Sequence, residues 1–318
     1  MENNFIDVKI TEIEQLSPLV KRFTLKSADG SDLPEFTGGA HIYLQFGSGD
    51  RQFSNAYSLC SSPFDRSAWQ VAVKKEVKGR GGSIFMHDEL KVGDVIKSST
   101  PNNLFALDGS SAFLLIGGGI GITPFMSQIH ELAKDGRKYE LMYLKHDDED
   151  DVIEKELTTG QFKDSVKVHV TARGTRADLD AVFAALPEGT AIYACGNSKI
   201  SDALKSLCKK HNIDEKRLHI EYFEVEPSSN GAFTLVLEKS GITVEAKEGE
   251  TVLMAIERIK GPKIQCLCRA GACGTCEVNV LEGEVAYNDQ YYEDDERDNK
   301  RLLACCCSGK SGKLVLDL

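Results

Sequence analysis

Ten cysteines are spread through 318 residues, and six of them fall at or after residue 268. Cys268, Cys273 and Cys276 stand in the order Cys-Arg-Ala-Gly-Ala-Cys-Gly-Thr-Cys, a C-x4-C-x2-C spacing that holds a 2Fe–2S cluster. Thiolates on one tight loop can converge on two irons from the same side. Gly271 and Gly274 let the backbone curl until its amides face the sulfurs and stabilise their negative charge. A fourth ligand has to come from further along, where Cys305, Cys306 and Cys307 are consecutive. The preceding Leu302-Leu303-Ala304 suggests a strand, on which alternate side chains point to opposite faces. Cys305 or Cys307 then faces the cluster and Cys306 turns away. Zinc is the rival metal, but it usually pairs two C-x2-C knuckles and this chain has one. Cys60, Cys208 and Cys266 lie outside the spacing and read as packed thiols.

Two further constellations carry cofactor chemistry. Gly117-Gly118-Gly119-Ile120-Gly121-Ile122-Thr123-Pro124 follows an apolar strand and opens a helix, where backbone amides and the helix dipole hold a pyrophosphate. Gly118, Gly119, Gly121 and Thr123 are the candidate contacts, although a glycine run of this form also serves as a plain tight turn. Ile192-Tyr193-Ala194-Cys195-Gly196 ends a later strand at the same carboxyl edge, where ligands collect in open α/β sheets, and the two together point to a nicotinamide nucleotide. Cys195 is placed to approach the nicotinamide and modulate hydride transfer. Upstream, Asn55-Ala56-Tyr57-Ser58 ends a strand, and Gly79-Arg80-Gly81-Gly82-Ser83 precedes a helical stretch. A tyrosine ring packs on a flat cofactor and a serine hydroxyl bonds a ring heteroatom. Arg80, the amides of Gly81 and Gly82, and Ser83 suit a phosphate. Taken singly, Tyr57 reads as a core residue and Arg80 as a solvated charge.

Elements of definite kinds must hold these residues. From residue 5 to 107 the chain reads as short strands broken by turns: FIDVKITEI, VKRFTLKS, AHIYLQFG, NAYSLC, WQVAVKKEV and DVIKSST. One helical stretch, Ile84–Leu90, interrupts them, and the pattern predicts a small antiparallel β-barrel. From residue 112 strands alternate with helices, which gives parallel pairs and a doubly wound α/β domain closing near LHIEYFEV. Glu226–Gly231 has the composition of a linker. Beyond it FTLVLEKSG and ITVEAKEG form a hairpin, TVLMAIERI an amphipathic helix and the terminal LVLDL a last strand. The chain is therefore multidomain, with a barrel over 1–107, an α/β domain over 108–225, a linker over 226–232 and a third domain over 233–318. The acidic run Glu293–Glu296 reads as a solvated helix start.

Composition narrows the function. A formal net charge of −11 opposes sequence-independent nucleic-acid binding, which needs lysine and arginine to neutralise phosphates, and suits docking on a basic partner. Apolar residues make up 41% and charged residues 27%, and no segment reaches the ~18 uninterrupted apolar residues of a membrane span. The start MENNFIDVKI lacks the basic and apolar regions of a signal peptide. A cytoplasmic, monomeric protein is expected, with reduced cysteines better read as ligands or packed thiols than as a disulfide framework.

At GRGGS, GGGIGITP, YACG, CGTC and the terminal LVLDL, and over essentially its whole length, the sequence resembles the phthalate dioxygenase reductase family. The resemblance implies a flavin barrel, a nicotinamide domain and a β-grasp plant-type ferredoxin domain in that order. It further implies FMN rather than FAD, NADH as donor, and a Rieske-type terminal oxygenase as electron acceptor. Counting back from LVLDL places Cys305 on the family's fourth ligand. Family members carry Arg-x-Tyr-Ser where this chain has Asn55 before Tyr57 and Ser58, which removes one phosphate contact and leaves those of Arg80 and Ser83. Asn197 replaces a common proline after Cys195-Gly196, and Phe223 matches an aromatic that covers the flavin ring. The segments SNAYSL, PNNLFAL and CLCRAGACGTCE resemble reductases serving oxygenases of quaternary ammonium compounds such as carnitine.

These parts belong together because nicotinamide gives up two electrons as a hydride, a cluster takes one, and a flavin does both. The resemblance implies hydride transfer to the flavin N5, with Tyr57 and Ser58 on one side of the ring and Phe223 displaced on the other. NADPH is the alternative donor, since Thr171, Arg173 and Arg176 follow the third parallel strand, where they suit a 2′-phosphate. The rival functions are an NAD(P)H oxidoreductase serving another acceptor such as a cytochrome, and a non-catalytic iron–sulfur redox sensor. Dihydroorotate dehydrogenase electron-transfer subunits share the first three cysteines but place the last much closer.

Overall fold

A computed structural model describes residues 5–147, 151–223, 231–310 and 312–318. By contact the chain divides into two compact units, Met1–Tyr222 and Phe223–Leu318. Residues 226–230 of the expected linker lie outside the described residues.

The first unit opens with six strands, β1 (Phe5–Ser17), β2 (Val20–Ser27), β3 (His41–Ser48), β4 (Arg51–Ser58), β5 (Trp69–Lys74) and β6 (Val95–Ser99). They pair antiparallel in the order β4-β3-β6-β1-β2-β5. Closure comes at the end of β4, where Leu59 bridges Val71 and the Cys60 amide donates to the Gln70 carbonyl at 2.9 Å. The two-residue period places Val8, Ile10, Phe23, Leu25, Ile42, Leu44, Trp69, Val71 and Val73 in one buried core. Helix α1 (Gly82–Asp88) contributes Phe85 and Met86 to it.

The same unit continues through β7 (Ala112–Gly118), α2 (Thr123–Asp135), β8 (Lys138–Lys145), α3 (Val152–Thr159), β9 (Val166–Val170), α4 (Leu179–Ala184), β10 (Ala191–Cys195), α5 (Ser198–Lys210) and β11 (Leu218–Glu221). Every strand pair is parallel, in the order β11-β10-β7-β8-β9. The chain runs outward one way from β7 and the other way from β10, so the strand order reverses between them. A crevice opens outside the carboxyl ends of such a pair. Leu16, Cys60 and Ala72 of the barrel share a core with Phe125, Met126 and Ile129 of α2. Across that seam Arg22 donates to both Glu156 carboxylate oxygens, at 2.9 and 2.7 Å.

The second unit holds β12 (Phe233–Leu237), β13 (Ile242–Ala246), α6 (Val252–Arg258), β14 (Glu277–Glu282), β15 (Val285–Ala286), β16 (Arg301–Leu303), β17 (Ser308–Gly309) and β18 (Lys313–Leu316). Its sheet runs β13-β12-β18-β14-β16, with β12 and β18 parallel, and β15 pairs β17 as a short ribbon. Thr251 caps α6 by accepting from the Met254 amide. Val252, Ala255 and Ile256 of that helix pack on Leu235, Leu237, Leu314 and Leu316. One helix clasped by a mixed sheet is the β-grasp arrangement. Glu293–Glu296 forms an exposed single turn with a reciprocal capping box. Among the described residues, no helix is long and apolar enough to cross a membrane.

Arg22 is nearly enclosed, with its side chain 9% exposed, and its other carboxylate neighbour is Glu14 at 3.6 Å. Replacing Glu156 with Ala is expected to cost about 1–2 kcal/mol, because a buried guanidinium then loses its bidentate partner. Chemical denaturation followed by barrel tryptophan fluorescence measures it.

Candidate functional site

Strand β4 carries the candidate flavin residues. Along it Ser54, Ala56 and Ser58 alternate with Asn55 and Tyr57, so the two sets face opposite ways. Asn55 Nδ2 donates to the Tyr57 hydroxyl at 3.0 Å. A Cβ on Gly82 would stand 2.4 Å from that same nitrogen, so the amide fits only against a bare backbone. Burial pushes the Tyr57 hydroxyl up to about 12, opposed by the Asn55 hydrogen bond and the nearby Arg80 charge, and the phenol stays neutral at physiological pH. The Ser83 hydroxyl accepts from the Glu76 amide at 3.0 Å, which braces the loop carrying Arg80 and Gly81 and leaves the hydroxyl hydrogen to donate. Ser54 Oγ and Ser58 Oγ are sealed from solvent and have no partner among the described residues. Orphaned hydroxyls of this kind fit a cofactor bearing hydrogen-bonding heteroatoms. Ser58 is the last residue of the strand.

At the crevice between β7 and β10 the backbones nearly touch. A Cβ on Gly121 would lie 2.3 Å from the Cys195 carbonyl oxygen, and one on Gly118 would lie 2.4 Å from Ile200 Cδ1 and 3.4 Å from the Gly196 Cα. Glycine is required here for close approach, and Gly119 adopts φ +55 to complete the turn. Thr123 is buried, and its hydroxyl donates to the Ile120 carbonyl at 3.0 Å, so it braces the turn. Asn197 accepts from the Ile200 amide at 3.2 Å and caps α5, a task that proline in its place would not perform.

Cys195 is only 1% exposed. Burial, followed by the charge of Glu221, pushes its thiol well up, so it acts here as a neutral group. Glu221 stands opposite it in the β10–β11 register. Its Oε2 is sealed and has no partner among the described residues, and burial pushes the carboxyl up to about 8. Sequence reasoning passed over Glu221; its only signal is a carboxylate at the carboxyl edge of a strand that continues His219-Ile220. Phe223 follows it and is 39% exposed.

An ionic network closes the ends of β8 and β9. Lys145 Nζ reaches Glu154 at 2.7 Å and Asp151 at 3.1 Å, and Tyr143 donates to Asp151 at 2.8 Å. Arg173 contacts the other Glu154 oxygen at 2.6 Å. One of the arginines suited to a 2′-phosphate is therefore already paired with a carboxylate, while Thr171 and Arg176 remain exposed.

In the second unit the loop 266–276 gathers the thiols. Arg269 takes φ +54 and forks onto Glu257 of α6, at 2.6 and 3.1 Å. Gly271 has φ +67, and a Cβ there would meet Cys306 Sγ at 2.7 Å; Gly274 has φ +72, and a Cβ there would meet the Tyr291 ring at 2.6 Å. Cys268 stands close enough to Cys273 and Cys305 for their thiols to act on it. Cys276 stands in the same relation to Cys266 and Cys305. Thiol hydrogens from Cys273 and then Cys305 pull Cys268 down to about 2, and those from Cys266 and then Cys305 pull Cys276 down to about 4. Cys305, hydrogen-bonded by Cys266, Cys268, Cys276 and Cys306, moves the other way. The Ala270 amide donates to Cys268 Sγ at 3.3 Å, an instance of the amide–sulfur contact that the glycines were expected to permit. Four convergent thiols on two pairs of positions fit a 2Fe–2S cluster.

One expectation needs correction. The three consecutive cysteines are not on a strand: β16 stops at Leu303, whose carbonyl accepts from the amides of both Cys306 (3.2 Å) and Cys307 (2.9 Å). The chain coils into a turn, so the strand alternation that paired Cys305 with Cys307 does not apply. Cys306 and Cys307 lie 3.8 Å apart, and Cys307 Sγ turns toward Asp289 at 3.7 Å. Cys266 packs on the unit's core, and its Sγ also lies within 4.8 Å of those of Cys276 and Cys305. Cys60 and Cys208 are buried in apolar cores as expected.

Comparison with known proteins agrees with this layout. Residues 7–106 match the oxidoreductase FAD-binding domain and residues 235–309 the 2Fe-2S iron-sulfur cluster binding domain. The chain is 45% identical to the carnitine monooxygenase reductase subunit of Escherichia coli (strain K12), covering 98% of each. It is 32% identical to phthalate dioxygenase reductase of Burkholderia cepacia, covering 100% of this chain and 98% of that one. A solved phthalate dioxygenase reductase, described as a modular structure for electron transfer from pyridine nucleotides to 2Fe–2S, superposes with a TM-score of 0.79. It is 30% identical, with 99% and 98% of the two chains covered.

Glu221 yields a signed pH dependence. Its carboxyl is raised to about 8, so the folded chain holds a proton that the unfolded chain releases near the usual carboxylate range. Stability therefore falls as pH rises between those values. The Glu221→Gln variant is expected to melt above the parent near pH 9, with the gap closing toward about pH 5, as differential scanning calorimetry at several pH values would show.

Proposed function

The chain belongs to the phthalate dioxygenase reductase family, and from that premise we propose that it takes electrons from NADH and delivers them to a Rieske-type terminal oxygenase acting on carnitine or another quaternary ammonium compound. It is a flavin and iron–sulfur oxidoreductase whose relatives are reductase subunits of oxygenase systems. The match with the Escherichia coli carnitine monooxygenase reductase subunit, end to end at 45% identity, is the observation that carries the substrate class.

When bound, the flavin supplies the exchange between a hydride pair and single electrons, and the cluster carries the single electrons. The chain's part is to position and bias these groups. We assign Tyr57 and Ser58 to the flavin ring, with the Ser58 hydroxyl, which has no partner among the described residues, supplying a hydrogen bond. Asn55 is tied to Tyr57, so the phosphate falls to Arg80, the amides of Gly81 and Gly82, and the Ser83 hydroxyl hydrogen; one such cradle suits FMN. Gly118, Gly119, Gly121 and Gly196 leave bare backbone that would hold the nicotinamide nucleotide, with Thr123 bracing the turn and Cys195 beside Glu221 at the strand ends. Phe223 is the aromatic that the family likeness offers for shielding the flavin. Cys268, Cys273, Cys276 and Cys305 are the cluster ligands in this reading.

NADH is favoured over NADPH by Glu154. Its carboxylate already engages Arg173 and Lys145, and a phosphate dianion brought there meets a negative charge with its counter-cations occupied.

Mixing the purified protein, NADH and a carnitine oxygenase should sustain product formation. A failure there, alongside support of a different oxygenase, would reassign the substrate class. The kcat/KM for NADH should exceed that for NADPH by at least about tenfold, and Glu154→Ser should narrow the ratio severalfold. The Cys306→Ser and Cys307→Ser proteins should keep the parent's visible and EPR spectra, whereas Cys305→Ala should change both.

A further inference from the structure

The cluster site offers more sulfur than a 2Fe–2S centre uses. Cys305 stands beside Cys266, Cys268 and Cys276, and Cys268 beside Cys273, so the loop brings a fifth thiol to a site that needs four. Cys266 is placed with the Cys276 and Cys305 pair: the three sulfurs lie within 4.8 Å of one another. Thiolate bonds of about 2.3 Å to a tetrahedral metal set its sulfurs roughly 3.8 Å apart, so Cys266 already stands near the spacing that a ligand needs. The Arg269 fork onto Glu257 and the seating of Cys266 against the unit's core hold it there.

We propose that Cys266 is a reserve ligand, which replaces Cys276 or Cys305 on the cluster when either is lost. This rests on the reading that the loop holds a 2Fe–2S centre. In the intact protein Cys266 remains a thiol alongside the four ligands. When Cys305 is missing, Cys266 releases its proton to solvent and its sulfur lone pair forms the vacant iron–sulfur bond. No oxidation state changes and no co-reactant is needed. Cys307 turns toward Asp289, and Cys306, although it also stands beside Cys305, directs its thiol to the Leu303 carbonyl.

The test compares full-length proteins purified from iron-supplemented cells and reads iron and acid-labile sulfide, visible absorption and EPR after dithionite. Cys266→Ala alone should match the parent in all three. Cys305→Ala and Cys276→Ala should each retain about half or more of the parent's iron and sulfide with an altered EPR spectrum, and adding Cys266→Ala to either should bring retention to about a tenth or less. Near-ultraviolet circular dichroism, with NADH-dependent ferricyanide reduction as a report on the first unit, checks that the doubles are folded. Equal iron retention in single and double variants would overturn the proposal, as would an altered spectrum in Cys266→Ala, which would make Cys266 a resident ligand. A parent protein without iron and sulfide would instead overturn the cluster reading itself.

Discussion

Sulfur atoms that are to share a metal must be held within a few ångströms of one another before it arrives, and thiolates at that distance repel. The loop 266–276 meets this with fixed backbone rather than burial alone. Arg269 is locked in a left-handed conformation by its fork onto Glu257. Gly271 and Gly274 make room for Cys306 and Tyr291, and the Ala304 amide ties the strand that brings Cys305 to the Cys276 carbonyl at 3.0 Å. Thiol hydrogens and backbone amides then spread the charge among the sulfurs. The β-grasp sheet serves that arrangement: β14 leaves the loop directly from Cys276, and β16 ends two residues before Cys305.

The same rule, bare backbone at the point of approach and side-chain locks behind it, recurs in the first unit. Gly118 and Gly121 allow the turn after β7 to rest on Cys195 and Gly196, while Thr123 and Asn197 secure the two helix starts with local hydrogen bonds. At the barrel, Gly82 accommodates the Asn55 amide, and Ser83 holds the loop to Glu76. In each case a residue expected to touch a cofactor is engaged in holding the segment that presents another. Positioning by locked second neighbours makes a site stiff, and stiffness limits the reorganisation that opposes electron transfer and hydride transfer.

What could be read from sequence divides along the line between local and distant partners. The strands of the barrel, the alternation of strand and helix after residue 112 and the helix over 252–258 follow from periodicity, because burial of one face is a local pattern. The C-x4-C-x2-C run and the glycine turn are likewise short-range signals. Leu302 and Leu303 continue a buried pattern that suggests strand through Cys305–Cys307; the Leu303 carbonyl, which captures two later amides, leaves no trace in composition. Cys266, Glu154 and Glu221 acquire their roles from residues far along the chain or on a neighbouring strand. A single sequence carries no record of such pairings.

Asn55 shows how a departure from a family pattern can be absorbed. Arginine at that position would place a cation near the loop of Gly81 and Gly82, whereas the shorter amide hydrogen-bonds the Tyr57 hydroxyl and fills the space beside Gly82. The phenol is consequently held by a neutral donor, with Arg80 as the nearby charge acting on it. Losing one cation lowers the positive potential available to a phosphate, and the remaining contacts come from a loop braced at Ser83. A single phosphate can be held by one guanidinium and a short run of amides, which is the task left to this loop under the proposed reading. The substitution therefore bears on which flavin the barrel accepts more than on whether it accepts one.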